Sequence, residues 1–141
     1  MLLDANLLLY AVNSKAPQHE VAVAWLNKQL NGARRVGVPW QSLIAFMRIA
    51  THPRAFARPL GPAVAWDRAA DWLAAPAAWI PVPGLNHAEL FGELVLRHEV
   101  RGNLLPDAQL AALALEHGLT VCSADTDFAR FTEVRWENPL A

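Results

Sequence analysis

The side chains best placed to do chemistry in this chain are carboxylates set at the ends of short apolar runs. Asp4 directly follows Met1-Leu2-Leu3. Asp125 comes three residues after Leu119-Thr120-Val121-Cys122, and Asp127 follows two residues later. Asp107 stands just after Pro106, at the head of a helical pattern. Carboxylates gathered together repel one another, which raises their pKa values and costs stability. A divalent cation removes that cost. Oxygen donors without a cysteine pair or a histidine pair select Mg2+, with Mn2+ as a second candidate, over zinc. Such an ion can neutralise a phosphodiester oxygen and activate water, which is the chemistry of phosphodiester hydrolysis. Taken singly, each aspartate also has a structural use. Asp4 can cap a helix, Asp107 suits a first helical turn, and Asp125 and Asp127 suit a turn.

Other catalytic classes find little support. His19, His52, His87, His98 and His117 are scattered, with no pair at i,i+4. There is no Gly-rich phosphate loop and no Gly-x-Ser-x-Gly elbow. A phosphohydrolase with Asp4 as nucleophile calls for Asp or Thr two residues later, where Asn6 stands. The single cysteine, Cys122, excludes an intramolecular disulfide and reads as a small buried strand residue.

The elements that must position the aspartates alternate in type. Short apolar runs at 1–3, 36–38, 79–82, 119–122 and 135–137 read as strands. Helical patterns cover 5–12, 18–30, 40–50, 62–74, 85–99 and 107–117, with a further helix between the last two strands. In the helix at 40–50, Leu43, Phe46, Met47 and Ala50 form one stripe. The order β-α-α-β-α-α-β-α-α-β-α-β predicts a three-layer α/β/α fold on a short parallel sheet of four to five strands. In such sheets functional groups collect beyond the carboxyl ends of the strands. The length of 141 residues fits one domain over 1–141, and 54% hydrophobic with 18% charged residues is enough for a real core. No signal peptide or membrane span is visible, so a cytoplasmic location is expected.

The formal net charge of −1 hides a segregation. From Val21 to Trp66 there are six basic residues (Lys28, Arg34, Arg35, Arg48, Arg54, Arg58) and no acid. The rest of the chain holds six basic residues and all thirteen acids. Charge divided this way suggests two surfaces with different tasks.

Several ordered segments together resemble the PIN-domain ribonucleases, and within them the VapC toxins of type II toxin–antitoxin pairs. They are Leu3-Asp4-Ala5-Asn6-Leu7-Leu8-Leu9-Tyr10, Pro39-Trp40, and Ala45-Phe46-Met47-Arg48-Ile49-Ala50-Thr51-His52-Pro53-Arg54. Asn103-Leu104-Leu105-Pro106-Asp107-Ala108-Gln109-Leu110-Ala111-Ala112-Leu113-Ala114 follows, then Ser123-Ala124-Asp125-Thr126-Asp127-Phe128-Ala129-Arg130-Phe131 and Trp136-Glu137-Asn138-Pro139-Leu140. The resemblance implies a metal-dependent endoribonuclease that cuts tRNA, rRNA or mRNA. It implies Asp4 and Asp107 as metal ligands, with the last acid supplied by Asp125 or Asp127. Asn6 would stand beside the first acid. It further implies a VapB-type antitoxin bound next to the site, and a homodimer formed through helices of the first half. A basic antitoxin side chain among the acids would compete with the ion. One position departs from the wider family. The helix beginning near Trp40 has no glutamate, and Ala45 lies about where one is expected. That keeps a catalytically weak or inactive RNA- or protein-binding module as the alternative. Arg34, Arg35, Arg54 and Arg58 are candidates for phosphate contacts. Arg48 has a substrate role and a structural role about equally open to it. Trp25, Trp72 and Trp40 are expected in the core, with Trp40 the nearest of them to the site.

Overall fold

A computed structural model describes residues 1–141. The chain runs β1 (Leu2–Leu3), α1 (Ala5–Val12), α2 (His19–Leu30), β2 (Val36–Gly37), α3 (Trp40–Ala50), α4 (Pro62–Ala74) and β3 (Ala78–Trp79). It continues with α5 (His87–Arg97), a 3-10 turn (Gly102–Leu104), α6 (Leu105–His117), β4 (Val121–Cys122), a second 3-10 turn (Thr126–Arg130) and β5 (Trp136–Glu137). All strand pairs are parallel, in the order β3-β2-β1-β4-β5.

Strand side chains alternate across the sheet, and this builds two cores. Leu2 and Val121 face one side, against Leu94, Leu110, Leu113, Phe128 and Phe131. Leu3 and Cys122 face the other, against Leu7, Leu8, Leu26, Leu43, Phe46 and Ala69. Helices α5 and α6 thus cover one face and α1 to α4 the other, the expected three layers. Both faces of β1 and β4 are fully buried, which is why these strands carry no polar residue until they end.

The element order holds, with local differences. The third strand was expected at 79–82 and pairs at Ala78–Trp79 instead. Pro81 and Pro83 offer no amide hydrogen to extend the ladder. Helix α5 is shorter than 85–99, and α6 begins at Leu105, so Pro106 lies within its first turn. The last expected helix is the 3-10 turn Thr126–Arg130. Gly118 ends α6 at φ +66°, a left-handed conformation that costs a glycine no Cβ strain, and Leu119 N–H then bonds Ala114 O at 2.8 Å. No helix is long and apolar enough to cross a membrane.

Candidate metal centre at the carboxyl edge of the sheet

Parallel strands all end at one edge. Asp4 follows β1, Pro39 and Trp40 follow β2, and Ser123 follows β4, so these residues meet there. Helix α6 runs back against the strands before β4, which brings its first turn, with Asp107, to the same edge. A cleft of about 560 Å³ opens at this place. Asp4, Asp107, Asp125, Trp40, Ala45 and Arg48 are among the residues that line it.

The carboxylates are not equivalent. Ligand oxygens of Asp107, Asp125 and Asp127 all lie within 4.8 Å of one another. Asp125 caps the second 3-10 turn, its Oδ1 accepting Asp127 N–H at 2.9 Å, and this bond folds the two acids toward the same point. Asp4 lies outside that closest group and lines the cleft beside it. Its Oδ1 accepts Ala5 N–H at 2.8 Å. Its Oδ2 accepts Ser123 Oγ–H at 2.7 Å and Asn6 Nδ2–H at 3.3 Å. Asn6 also donates to Ser123 Oγ at 3.0 Å and accepts Ala124 N–H at 3.2 Å. Ser123 Oγ accepts Asp125 N–H at 3.0 Å. One buried hydroxyl therefore ties the first acid to the last.

Electrostatics follow from this crowding. Burial, then the charges of Asp4, Asp125 and Asp127, push the Asp107 carboxyl up to about 7, and Arg130 opposes them. Burial also raises Asp4, while hydrogen bonds from Ser123 and Ala5 hold it down. A cluster of hard oxygen donors that resists full ionisation, with no nitrogen or sulfur ligand among its members, fits a divalent cation of the magnesium class.

The sequence-derived candidates divide by position. Asp4, Asp107 and Asp125 share the cleft, and Asp127 joins Asp107 and Asp125 from its exposed side. Arg48 lines the cleft and also a neighbouring depression with His52 and Arg54. Arg34 and Arg35 precede β2 and so stand at the opposite, amino edge of the sheet. Arg35 Cζ lies 4.0 Å from the Trp79 ring centroid. Arg34 is near the Met1 amine, which burial and, to a smaller extent, Arg34 hold below its ordinary pKa. Arg58 lines a separate depression with Lys15. Trp40 is half exposed on the cleft rim instead of in the core, because its place in the first turn of α3 carries it past the edge of the sheet. Trp25 and Trp72 are partly buried.

Sequence reasoning passed over Ser123, Gln41, Ser42 and Arg130. Ser123 had a readable signal, since it follows β4 as directly as Asp4 follows β1. Ser42 Oγ donates to Leu3 O at 2.6 Å and docks α3 on β1. Gln41 Nε2 donates to Pro106 O at 2.7 Å and ties the starts of α3 and α6 together. Both depend on contacts distant in the chain that no local pattern announces.

Comparison with known proteins agrees with this architecture. The PIN domain family profile matches residues 1–134. Ribonuclease VapC37 of Mycobacterium tuberculosis is 45% identical over 140 residues, covering 99% of this chain and 97% of that protein. The VapBC-1 structure from nontypeable Haemophilus influenzae superposes with a TM-score of 0.71 at 15% identity, covering 99% of this chain and 98% of that one. The structure of Mycobacterium tuberculosis VapC20, a sarcin–ricin loop cleaving toxin, gives a TM-score of 0.68 at 20% identity, covering 95% of this chain and 98% of that one. With the profile spanning nearly the whole chain and a full-length relative at 45% identity, this chain belongs to the PIN-domain family and, within it, to the VapC proteins.

Proposed function

We propose that the chain is a metal-dependent endoribonuclease toxin of a type II toxin–antitoxin pair. The observation that carries this reading is the convergence of Asp4, Asp107, Asp125 and Asp127 at one sheet edge, beside a cleft whose α3 wall is free of acid. The kinship with ribonucleases named VapC supports RNA as the substrate.

In this reading Asp107, Asp125 and Asp127 hold Mg2+ or Mn2+, with Asp4 beside them. The bound cation supplies Lewis acidity and charge neutralisation for phosphodiester hydrolysis. The chain's own residues do the rest. Ser123, Asn6 and the Ala5 amide fix the Asp4 carboxylate so that it faces the cleft without rotating. Arg48 and Arg54 attract the phosphates that flank the reacting one. Ala45 leaves the α3 wall without a carboxylate, which by itself favours a non-cutting binding module. Asp127 answers that objection by giving the closest group a third oxygen donor.

A VapB-type antitoxin and a homodimer are part of the proposal. The solved relatives include VapBC assemblies, and Val21, Val64 and Trp66 leave apolar surface exposed on α2 and α4. The decisive test incubates purified protein with total RNA and Mg2+ or Mn2+, beside Asp4→Ala and Asp107→Asn variants. The parent is expected to cut and both variants to lose at least a hundredfold in rate. RNA left intact by the parent under every metal condition would favour the binding module.

A further inference from the structure

Helix α3 buries one face and leaves another open. Leu43, Phe46 and Ala50 are buried, whereas Trp40 is 46% and Ile44 59% exposed, and Arg48 is exposed as well. Trp40, Ile44 and Arg48 are spaced four apart and so form one stripe. All three line the cleft that holds Asp4, Asp107 and Asp125. Past Arg48 the surface continues into the depression of His52 and Arg54. No acid occurs on this helix or anywhere from Val21 to Trp66.

A half-exposed indole forgoes burial, so its surroundings say what it meets. The ligand that fits this stripe carries a negative charge to the acid centre's cation and to Arg48, and a flat apolar face between them. A nucleotide has both. We propose that Trp40 is a stacking platform for the nucleobase adjoining the scissile phosphate, with Ile44 as its apolar border and Arg48 neutralising the next phosphate. The inference rests on the ribonuclease reading and adds to it a base-binding subsite. A base stacked on Trp40 has left its own helical stack, so the nucleotide at this subsite is unpaired.

The test compares Trp40→Phe with Trp40→Leu, which keeps apolar bulk but has no π face. Binding of a short labelled oligo(A) is measured by fluorescence anisotropy with Mg2+ present, in an Asp107→Asn background that leaves the probe intact. Trp40→Leu is expected to bind about tenfold or more weakly, and Trp40→Phe within about threefold of the background protein. In the otherwise unmodified chain the same ordering is expected in kcat/KM, with the Mg2+-dependent rise in Tm unchanged. Equal binding by the Leu and Phe variants overturns the assignment, even if Trp40→Leu impairs binding of a partner protein. Cleavage by the parent with that equality sinks only the Trp40 subsite. A parent that cuts no RNA with either metal sinks the ribonuclease reading beneath it.

Discussion

At the scale of single residues, Asp107 and Ser123 decide how the centre behaves. The ordinary aspartate value is 3.8, and Asp107 stands near 7 because it is buried among other acids. Between those values the folded chain holds a proton that the unfolded chain has released. Its contribution to stability is therefore lost as pH rises toward 7. A divalent cation binds the ionised carboxylate, so proton and cation compete. Thermal unfolding with and without Mg2+ should show a larger Mg2+-induced rise in Tm at pH 8 than at pH 6. A rise of the same size at both would mean that Asp107 is no ligand. Ser123 serves a different purpose. Its hydroxyl donates to Asp4 and accepts from Asn6 and from the Asp125 amide. Ser123→Ala takes one bond from Asp4 and one from Asn6 and leaves the Asp125 amide without its partner, which should cost about 1–3 kcal/mol in denaturant unfolding. A loss of RNA cleavage should accompany it, because Asp4 Oδ2 keeps only its longer bond, from Asn6.

At the scale of elements, two-residue strands hold register because each is pinned at both ends. Gly37 N–H bonds Met1 O at 2.9 Å, and Val38 N–H bonds Trp79 O at 2.8 Å. The sheet is tight at this point. A Cβ on Gly37 would lie 2.7 Å from Pro81 Cγ and 3.1 Å from Leu2 Cδ1. Neither the proline ring nor the buried leucine can give way freely. Gly37→Ala should therefore destabilise by about 1–3 kcal/mol, read from the urea midpoint at unchanged m-value. Since only Val38 and Pro39 separate Gly37 from Trp40, the shift should also tilt the start of α3. RNA cleavage would then fall by more than the loss of folded protein explains. Wild-type stability in that variant would show that β2 has slack to absorb the methyl group.

At the scale of the whole molecule, charge is sorted by position. Four of the acids converge where α6 and the strands meet, while α3 and the segment after it present Arg48, His52 and Arg54. On the proposed reading, a polyanion is attracted to one wall of the cleft and cut at the other. Contacts of this kind release counterions, so each one adds to the salt dependence of binding. Arg54→Ala should weaken binding of single-stranded RNA with little regard to sequence and lower the log–log salt slope by about 0.7. The corresponding change at Arg34, on the amino edge of the sheet, should leave both the affinity and the slope unchanged. An Arg34→Ala effect as large as that of Arg54→Ala would place the RNA across the far edge.

Much of this arrangement could be read along the chain. Alternating apolar runs and helical stripes dictate a covered parallel sheet, because runs as short and apolar as Leu2–Leu3 and Val121–Cys122 are stable only when buried on both faces. Parallel strands then oblige Asp4 and the Asp125–Asp127 segment to share an edge. Tertiary structure alone decided the finer points. It separated Arg34 and Arg35 from the acids, since a basic segment that reads as continuous crosses from one edge of the sheet to the other through β2. It placed Asp127 in the closest oxygen group and Asp4 beside it, because an Asx-type bond at Asp125 turns the chain back. It also set Trp40 on the rim. Helical periodicity says which residues share a stripe, but whether that stripe meets a core or open water depends on where the neighbouring elements stop.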